Sequence, residues 1–307
     1  MAGADLKIAV AVDLYDWHAR DLCAAFARAG VKASPIRLAQ CGLDTRRSHG
    51  LAVPGFGDGL PDAVFVRAIG SGTFESVTLR LSALHALADF GVHVANKART
   101  IEICVDKAAT SLRLAYANIP TPPTFAAQSL EAARKIVRRE CGQGPLVLKP
   151  LFGAQGFGLK LIHSEGDLPA LHEVEYVYYL QRFVDGPKSV EGYCDMRFLV
   201  SNGELVAAMA RRSAHWITNI KLGARPERLD PDPALERIAL RAAEAVGAQF
   251  CGVDIILDAA GQPQALEVNS MPGWRGLQKV APFSIADRLA SDFLSRVAPA
   301  RIDGRAA

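Results

Sequence analysis

Two short apolar runs near the C-terminal end, residues 251–257 (CGVDIIL) and 264–268 (QALEV), flank Ala259-Ala260-Gly261-Gln262-Pro263. Strand-forming runs on either side of a glycine- and proline-containing turn read as a β-hairpin. Opposite residues of an antiparallel hairpin have a constant index sum. A turn centred between Ala260 and Gly261 sets Asp254 directly across from Glu267. Side chains alternate faces, so Glu267 and Asn269 share one face while Leu266 and Val268 take the other. Three hard oxygen donors then converge on one side of a hairpin. That set suits Mg2+ or Mn2+, which keep waters and substrate phosphate oxygens in the rest of their shell. Read alone, the same acids also fit a solvated surface, and the rest of the chain decides between the two.

The 307 residues suffice for two or three domains with sizeable cores. Net charge is +3, from 35 basic and 32 acidic residues, too balanced for a nucleic-acid partner. Cys23, Cys41, Cys104, Cys141, Cys194 and Cys251 are scattered with no CxxC pair. That pattern fits reduced cytoplasmic thiols rather than a disulfide framework or a zinc centre. The N-terminal apolar run, Ile8 to Val12, stops at Asp13, too early for a signal peptide. No apolar stretch approaches the roughly 20 residues of a membrane helix, so no membrane association is expected.

Residues 7–12 (KIAVAV) read as a buried strand. Asp16 is placed to cap a helix carrying Trp17, Leu22, Phe26 and Ala29, and Val31–Ile36 returns extended, a βαβ start. Residues 41–61 read as loop, 63–66 as a second buried strand ending on Arg67, 74–90 as helix and 92–95 as strand. A first boundary is expected at Asn96-Lys97. A helix holding Lys107, Leu112 and Leu114 runs to Asn118 and is stopped by Pro120-Thr121-Pro122-Pro123. Helix 129–140 has Ser129 as its cap. The strands 145–149 and 159–163 enclose a glycine-rich tip. An extended segment, 178–184, precedes the Asp185-Gly186-Pro187 turn. Ser201-Asn202-Gly203-Glu204 joins strands 198–200 and 205–209. Helix 231–247 leads into the hairpin, and 283–297 is again helical. Three domains are expected: 1–97, an N-terminal α/β domain; 98–185, with the glycine-rich loop; and 186–307, with the metal ligands.

Lys149 ends a strand, and Gly153-Ala154-Gln155-Gly156-Phe157-Gly158 follows. Glycines leave backbone N–H groups able to approach an anion, and a neighbouring lysine is a natural phosphate partner. The loop lacks the Lys-Ser/Thr ending of a P-loop, and it joins two strands, unlike a dinucleotide fingerprint. Alone it fits a flexible hairpin tip equally well. Lys107, Gln181-Arg182-Phe183-Val184, Asp195-Met196-Arg197, Arg211-Arg212 and Asn219 are each unremarkable in isolation.

Their order is specific. Lysine, lysine with a glycine-rich hairpin, QRFV, DMR, an arginine pair, Asn and then GVD…EVN together resemble the ATP-grasp superfamily, and within it the RimK-type glutamate ligases. The resemblance runs over roughly residues 62–295. It includes Asp62–Ile69, Val94-Ala95-Asn96, Asp106-Lys107 with Pro120–Thr124, and Glu267–Trp274. It implies an ATP-grasp fold, α+β, behind an N-terminal α/β domain. It implies that Lys107 and Lys149 hold the α- and β-phosphates of ATP, with the 153–158 loop (Gly153, Gln155, Gly156, Gly158) covering the triphosphate. Gln181, Arg182 and Phe183 would line the adenine pocket, Asp195 would sit near the ribose, and Asn219 would complete the nucleotide contacts. Asp254, Glu267 and Asn269 would carry two Mg2+ ions.

The implied reaction joins a carboxylate to an amine. The carboxylate takes the γ-phosphoryl group, giving an acylphosphate and ADP, and an amine then displaces phosphate. Cations must offset the charge between a carboxylate and a triphosphate. Arg197, Arg211 or Arg212 would stabilise the acylphosphate. The implied amine is L-glutamate, and the implied acceptor is a coenzyme, small molecule or peptide. The stretch 273–280 (GWRGLQKV) resembles the coenzyme-modifying branch. Relatives assemble as dimers or tetramers, which sets the expectation of a homo-oligomer. Two departures stand out. Arg182 replaces the usual acid, which leaves the adenine amino group to the backbone. Ile217 replaces the arginine often found two residues before Asn219. His215 and Trp216 would either shape an acceptor pocket or pack as a partly buried aromatic pair. A glutathione synthetase-like or D-alanine ligase-like activity, and a non-catalytic nucleotide binder, are the alternatives; the complete metal-ligand set argues against the last.

Overall fold

The computed structural model describes residues 6–153, 156–187, 192–230 and 232–302. Backbone contacts divide the chain into two compact units, Met1–Ile101 with Ala248–Cys251 and Ser270–Ala307, and Glu102–Gly247 with Gly252–Asn269.

The first unit starts with β1 (Ile8–Ala11), α1 (Trp17–Arg28) and β2 (Ala33–Ile36). Asp16 caps α1, its carboxylate accepting from the Ala19 amide at 2.9 Å. The segment expected to be loop contains a small antiparallel ribbon, β3 (Gly42–Leu43) and β4 (Leu51–Ala52). Then come β5 (Ala63–Val66), α2 (Phe74–Asp89) and β6 (His93–Ala95). The sheet order is β2-β1-β5-β6, parallel throughout. Every residue of β1 and β5 is buried. A parallel sheet covered on both faces needs continuous apolar strands, which is the pattern read from 7–12 and 63–66.

The second unit is built around two sheets. It takes in the end of α3 (Ala98–Val105) and then α4 (Lys107–Tyr116). Asp106 separates these helices. Its backbone is extended, and its carboxylate accepts from the amides of Ala108 and Ala109 at 2.8 and 3.0 Å. Lys107 is therefore the first residue of a helix, where the dipole disfavours a cation. The first sheet holds β7 (Thr124–Ala127), β8 (Leu146–Lys149), β9 (Lys160–Ile162) and β10 (Tyr178–Arg182), in the order β7-β10-β8-β9. It packs on α5 (Leu130–Glu140) through Ala133, Val137, Leu146, Leu148, Ile162 and Leu180.

The second sheet contains β11 (Tyr193–Ser201), β12 (Glu204–Ser213), β13 (Arg225–Arg228), β14 (Phe250–Leu257) and β15 (Pro263–Asn269), in the order β13-β12-β11-β14-β15. Helix α6 (Pro233–Ala245) packs on β11, β12 and β15. The β11–β12 strands are longer than the sequence pattern indicates. Asn202 and Gly203, with φ of 51° and 79°, form the tight turn. Polar residues at the far ends of both strands hid the continuation, because they pair with each other across the hairpin. In the first unit the chain closes with α7 (Arg275–Gln278) and α8 (Ile285–Ile302). Phe293 of α8 lies 5.4 Å from Phe65 and 5.7 Å from Phe26, and Phe65 stacks on Phe250 at 4.4 Å. The buried Asn96 side chain donates to the carbonyls of Phe250 and Ser270, both at 2.7 Å, and accepts from the Gln249 amide at 2.8 Å. One amide thus anchors two returning segments to the first unit.

Candidate active site

The β14–β15 register places Asp254 opposite Glu267, Val253 opposite Val268 and Gly252 opposite Asn269. Nearer the turn the pairing shifts by one, Ile255 facing Ala265, and Leu266 is the extra residue of a β-bulge. The bulge corrects the expected facing of Leu266. Alternation sends it away from the acids, yet it lines the same cavity as Asp254 and Glu267. Two consecutive side chains, Leu266 and Glu267, therefore border one space.

Along β11 and β12, Asp195 stands directly opposite Arg211, and Cys194 opposite Arg212. Strand alternation separates the two arginines. Arg211 is buried. Its Nε donates to Asp195 at 2.7 Å, a second nitrogen meets the other Asp195 oxygen, and Nη2 lies 2.9 Å from Asp254 Oδ2. Arg197 grips Asp254 from β11, Nε to Oδ1 at 2.7 Å and Nη2 to Oδ2 at 2.6 Å, and reaches Glu267 at 4.0 Å. Arg212 points to the other side and bonds Glu227 at 2.6 Å, so it does not join this cluster. Of the three arginines offered for the acylphosphate, Arg212 is thereby set apart from Arg197 and Arg211. Asp195 lines the cavity with both oxygens engaged by Arg211, so the expected ribose-side carboxylate is an ion-pair partner here.

The cavity gathers side chains from both sheets of the second unit. Lys107, Lys149, Gly153, Gly156 and Phe157 line one part of it. Arg182, Phe183, Trp216 and Asn219 line another, with Asp195, Arg211, Asp254 and Glu267 alongside. Gln155 lies outside the described residues. Gly158 is not a wall residue; at φ +73° it lies against Pro150, where a Cβ would come within 2.9 Å of Cγ. Gln181 is also displaced from its expected adenine contact: it is buried, and its Oε1 accepts from Lys149 Nζ at 2.6 Å. The Arg182 guanidinium turns to the end of α5, donating to the carbonyls of Gly144 and Glu140 at 2.5 and 3.0 Å and to the Glu140 carboxylate at 2.8 Å. A cation satisfying the carbonyl end of a helix has a sufficient local reason to be there. Trp216, read from sequence as a candidate for an acceptor pocket, lines this cavity with its ring edge-on to Phe183 at 5.9 Å.

The electrostatics are strongly shaped by burial. Desolvation pushes the Lys107 ammonium below its ordinary pKa, against the attraction of Glu267 and Asp106. Desolvation also lowers Lys149, and the positive charge of Lys107 adds to the effect. Lys107 Nζ donates to the Gly153 carbonyl at 2.7 Å, a neutral partner. Asp254 is held well below the usual carboxylate range by Arg197 and Arg211, which outweigh its burial. Asp195 and Asp254 together hold Arg211 above its ordinary value, against its burial. Two partly buried lysines beside the glycine-rich loop attract a polyanion. The aromatic edge at Phe183 and Trp216 suits a flat ring.

The donor chemistry fits a hard divalent cation. Among the described residues no three His, Cys, Asp or Glu side chains converge. Asn269 supplies the third group, its Nδ2 donating to Glu267 Oε1 at 3.0 Å and orienting its own oxygen for another partner. Asp254 Oδ2 is met by both Arg197 and Arg211, whereas Oδ1 accepts from Arg197 alone and retains a further lone-pair direction.

Comparison with known proteins agrees with this geometry. Residues 104–293 match the model of the RimK-like ATP-grasp domain. The chain is 31% identical to the tetrahydromethanopterin:alpha-L-glutamate ligase of Methanosarcina acetivorans, over 88% of this chain and 93% of that protein. It is 26% identical to the glutamate–LysW ligase ArgX of Sulfolobus acidocaldarius, over 93% and 97%. The solved structure of the ATP-grasp ligase PsnB, complexed with a precursor variant, Mg and ADP, superposes with a TM-score of 0.74. That match has 18% identity and covers 96% of this chain and all of that one, a likeness of fold. This chain therefore belongs to the RimK-like ATP-grasp family and is an ATP-dependent ligase that forms amide bonds.

Proposed function

We propose that this enzyme adds L-glutamate to a carboxylate of a coenzyme-like small molecule. The observation that carries the reading is the single cavity lined by Lys107, Lys149, the glycine-rich loop, Asp254 and Glu267. It brings phosphate-seeking cations and hard oxygen donors to one place. The relatives named as tetrahydromethanopterin ligases, and the GWRGLQKV stretch, favour a coenzyme acceptor over a protein C-terminus.

In this reading Lys107 and Lys149 bind the triphosphate, Phe183 and Trp216 border the base, and the backbone of 182–184 contacts its edge. Asn219 lies against Gly156 and holds the loop over the phosphates. Asp254, Glu267 and Asn269 hold two Mg2+ ions, which when bound neutralise phosphate oxygens. Arg197 and Arg211 stabilise the negative charge that builds as the acceptor carboxylate takes the γ-phosphoryl group. ADP leaves, the glutamate amine attacks the acyl carbon, and phosphate departs as the amide forms and the amine loses its proton. The two sheets of the second unit are the two nucleotide-binding halves, which corresponds to a division near residue 185.

The test is ADP and phosphate release from ATP, Mg2+ and L-glutamate against a panel of carboxylates, with product masses. A product heavier by one or more glutamyl residues is expected. AMP formation, or release that ignores the acceptor, would overturn the reading.

A further inference from the structure

Among the described residues, no carboxylate bonds Lys149. Its ammonium donates to a neutral amide, Gln181 Oε1, at 2.6 Å. The sheet explains the arrangement. On β10, Gln181 faces Thr124 of β7 on one side, and Tyr179 faces Lys149 of β8 on the other. Residues two apart on a strand share a face, so Gln181 and Lys149 are diagonal neighbours on it. Gln181 is 1% exposed. Its Nε2 donates to Thr124 Oγ1 at 3.1 Å, and the Thr124 hydroxyl donates to the Pro122 carbonyl at 2.8 Å. An ammonium only donates, and the threonine oxygen has its proton committed to Pro122. Only one orientation of the Gln181 amide satisfies both neighbours. The chain Pro122–Thr124–Gln181–Lys149 is thus a directed series of hydrogen bonds.

We propose that Gln181, fixed by Thr124, is the positioning residue that aims the Lys149 ammonium at a phosphate while leaving its charge unneutralised. The proposal rests on the reading of Lys149 as a nucleotide phosphate ligand. A neutral acceptor holds the nitrogen in place and removes none of its charge. A carboxylate at the same position would hold it as well and would compete with phosphate for it. This differs from lining the base pocket: Gln181 acts through Lys149 and touches no substrate.

The charged groups acting on Lys149 are Lys107, which depresses its pKa as burial does, and Glu267, Asp254 and Asp195, which oppose that. Introducing a carboxylate at 181 adds a further anion and raises the lysine pKa. The alkaline fall of kcat/KM for ATP, where Lys149 loses its proton, then moves to higher pH.

The experiment compares Gln181→Glu, Gln181→Met, Thr124→Val and Lys149→Met in the full chain, with KM for ATP, kcat and the alkaline pH profile. Near-UV and far-UV circular dichroism confirm the native fold, and Gln181→Glu, nearly isosteric, carries the test if Gln181→Met fails to fold. Expected is a rise in KM for ATP of about 10- to 100-fold in Gln181→Met, the span of one hydrogen bond to a charged group, and a rise in Gln181→Glu, where the new carboxylate competes with phosphate for the ammonium. A smaller rise is expected in Thr124→Val, and an upward shift of the alkaline limb in Gln181→Glu alone. If Lys149→Met loses ATP affinity while Gln181→Glu keeps the wild-type KM and pH limb, Gln181 does not position the lysine. If Lys149→Met itself leaves KM for ATP unchanged, the phosphate reading of Lys149 fails, and this inference with it.

Discussion

Asp254 and Glu267 face each other across neighbouring strands, and a single bulged residue, Leu266, separates their register from that of the hairpin turn. Asp254 is buried and gripped by Arg197 and Arg211, whereas Glu267 is partly exposed toward the cavity. The two carboxylates are therefore unequal. Asp254 is tied into the sheet, and Glu267 is the more available donor. Glu267→Gln is expected to lower kcat by about 100-fold or more, the scale of losing one preorganised electrostatic group. It should also weaken Mn2+ binding read by paramagnetic relaxation without nucleotide. Unchanged Mn2+ affinity with full turnover would remove Glu267 from the metal ligands.

Arg211 and its neighbour Arg212 offer a contrast. Removing Arg211 takes the arginine from the buried Asp195 carboxylate and leaves the buried Asp254 with Arg197 alone. Breaking a buried ion pair from one side costs about 3–5 kcal/mol, so Arg211→Met should lower the urea midpoint sharply. Arg212 sits on the other face with Glu227, both partly exposed, and its ion pair is worth less than about 1 kcal/mol. Equal midpoints for the two variants would contradict the facing of these strands.

Gly156 tests the loop. Its φ is +76°, and a Cβ there would lie 2.5 Å from Asn219 Oδ1 and 2.8 Å from Ile217 Cγ2. Gly156→Ala should push the loop off the 217–219 segment and raise KM for ATP. Gly203→Ala is the control, with φ +79° and open space around it. Both pay the left-handed strain, about 1–2 kcal/mol, but only Gly156→Ala should alter nucleotide affinity. Matching kinetics would show that loop contact with Asn219 is immaterial to ATP.

Much of this was legible in the chain, for identifiable reasons. The parallel sheet of the first unit followed from unbroken apolar runs, and the caps Asp16 and Ser129 from side-chain oxygens at helix starts. The Asp254–Glu267 pairing came out right although the hairpin closes Leu257 on Pro263, an index sum one less than the assumed turn requires. The bulge at Leu266 restores the count, and no local composition marks it. The Arg211–Arg212 split stayed hidden because polar pairs ended the apparent strand at Met209. The Gln181–Lys149 contact spans 32 positions and depends on sheet order, which periodicity within a strand cannot supply.

Lys149 carries the last prediction, because its function and its stability oppose each other. Burial and Lys107 lower its pKa below the ordinary 10.5 despite three nearby carboxylates. The native state thus binds this proton more weakly than the unfolded chain does. The charged lysine costs stability at every pH below its folded pKa, and the cost fades as pH rises from there to the unfolded value. Lys149→Met should therefore stabilise the protein at neutral pH, by roughly 2–4 °C in Tm for each kcal/mol relieved. The gain should shrink as the pH of the melting experiment rises past the folded pKa. The same variant should lose ATP-dependent stabilisation, since the cation that makes folding harder is the one available to a phosphate. Lys135→Met, an exposed lysine paired with Glu131 on α5, should show neither effect. A Lys149→Met variant that melts lower than wild type across the pH range would mean that the Gln181 hydrogen bond and nearby carboxylates outweigh the desolvation of the ammonium.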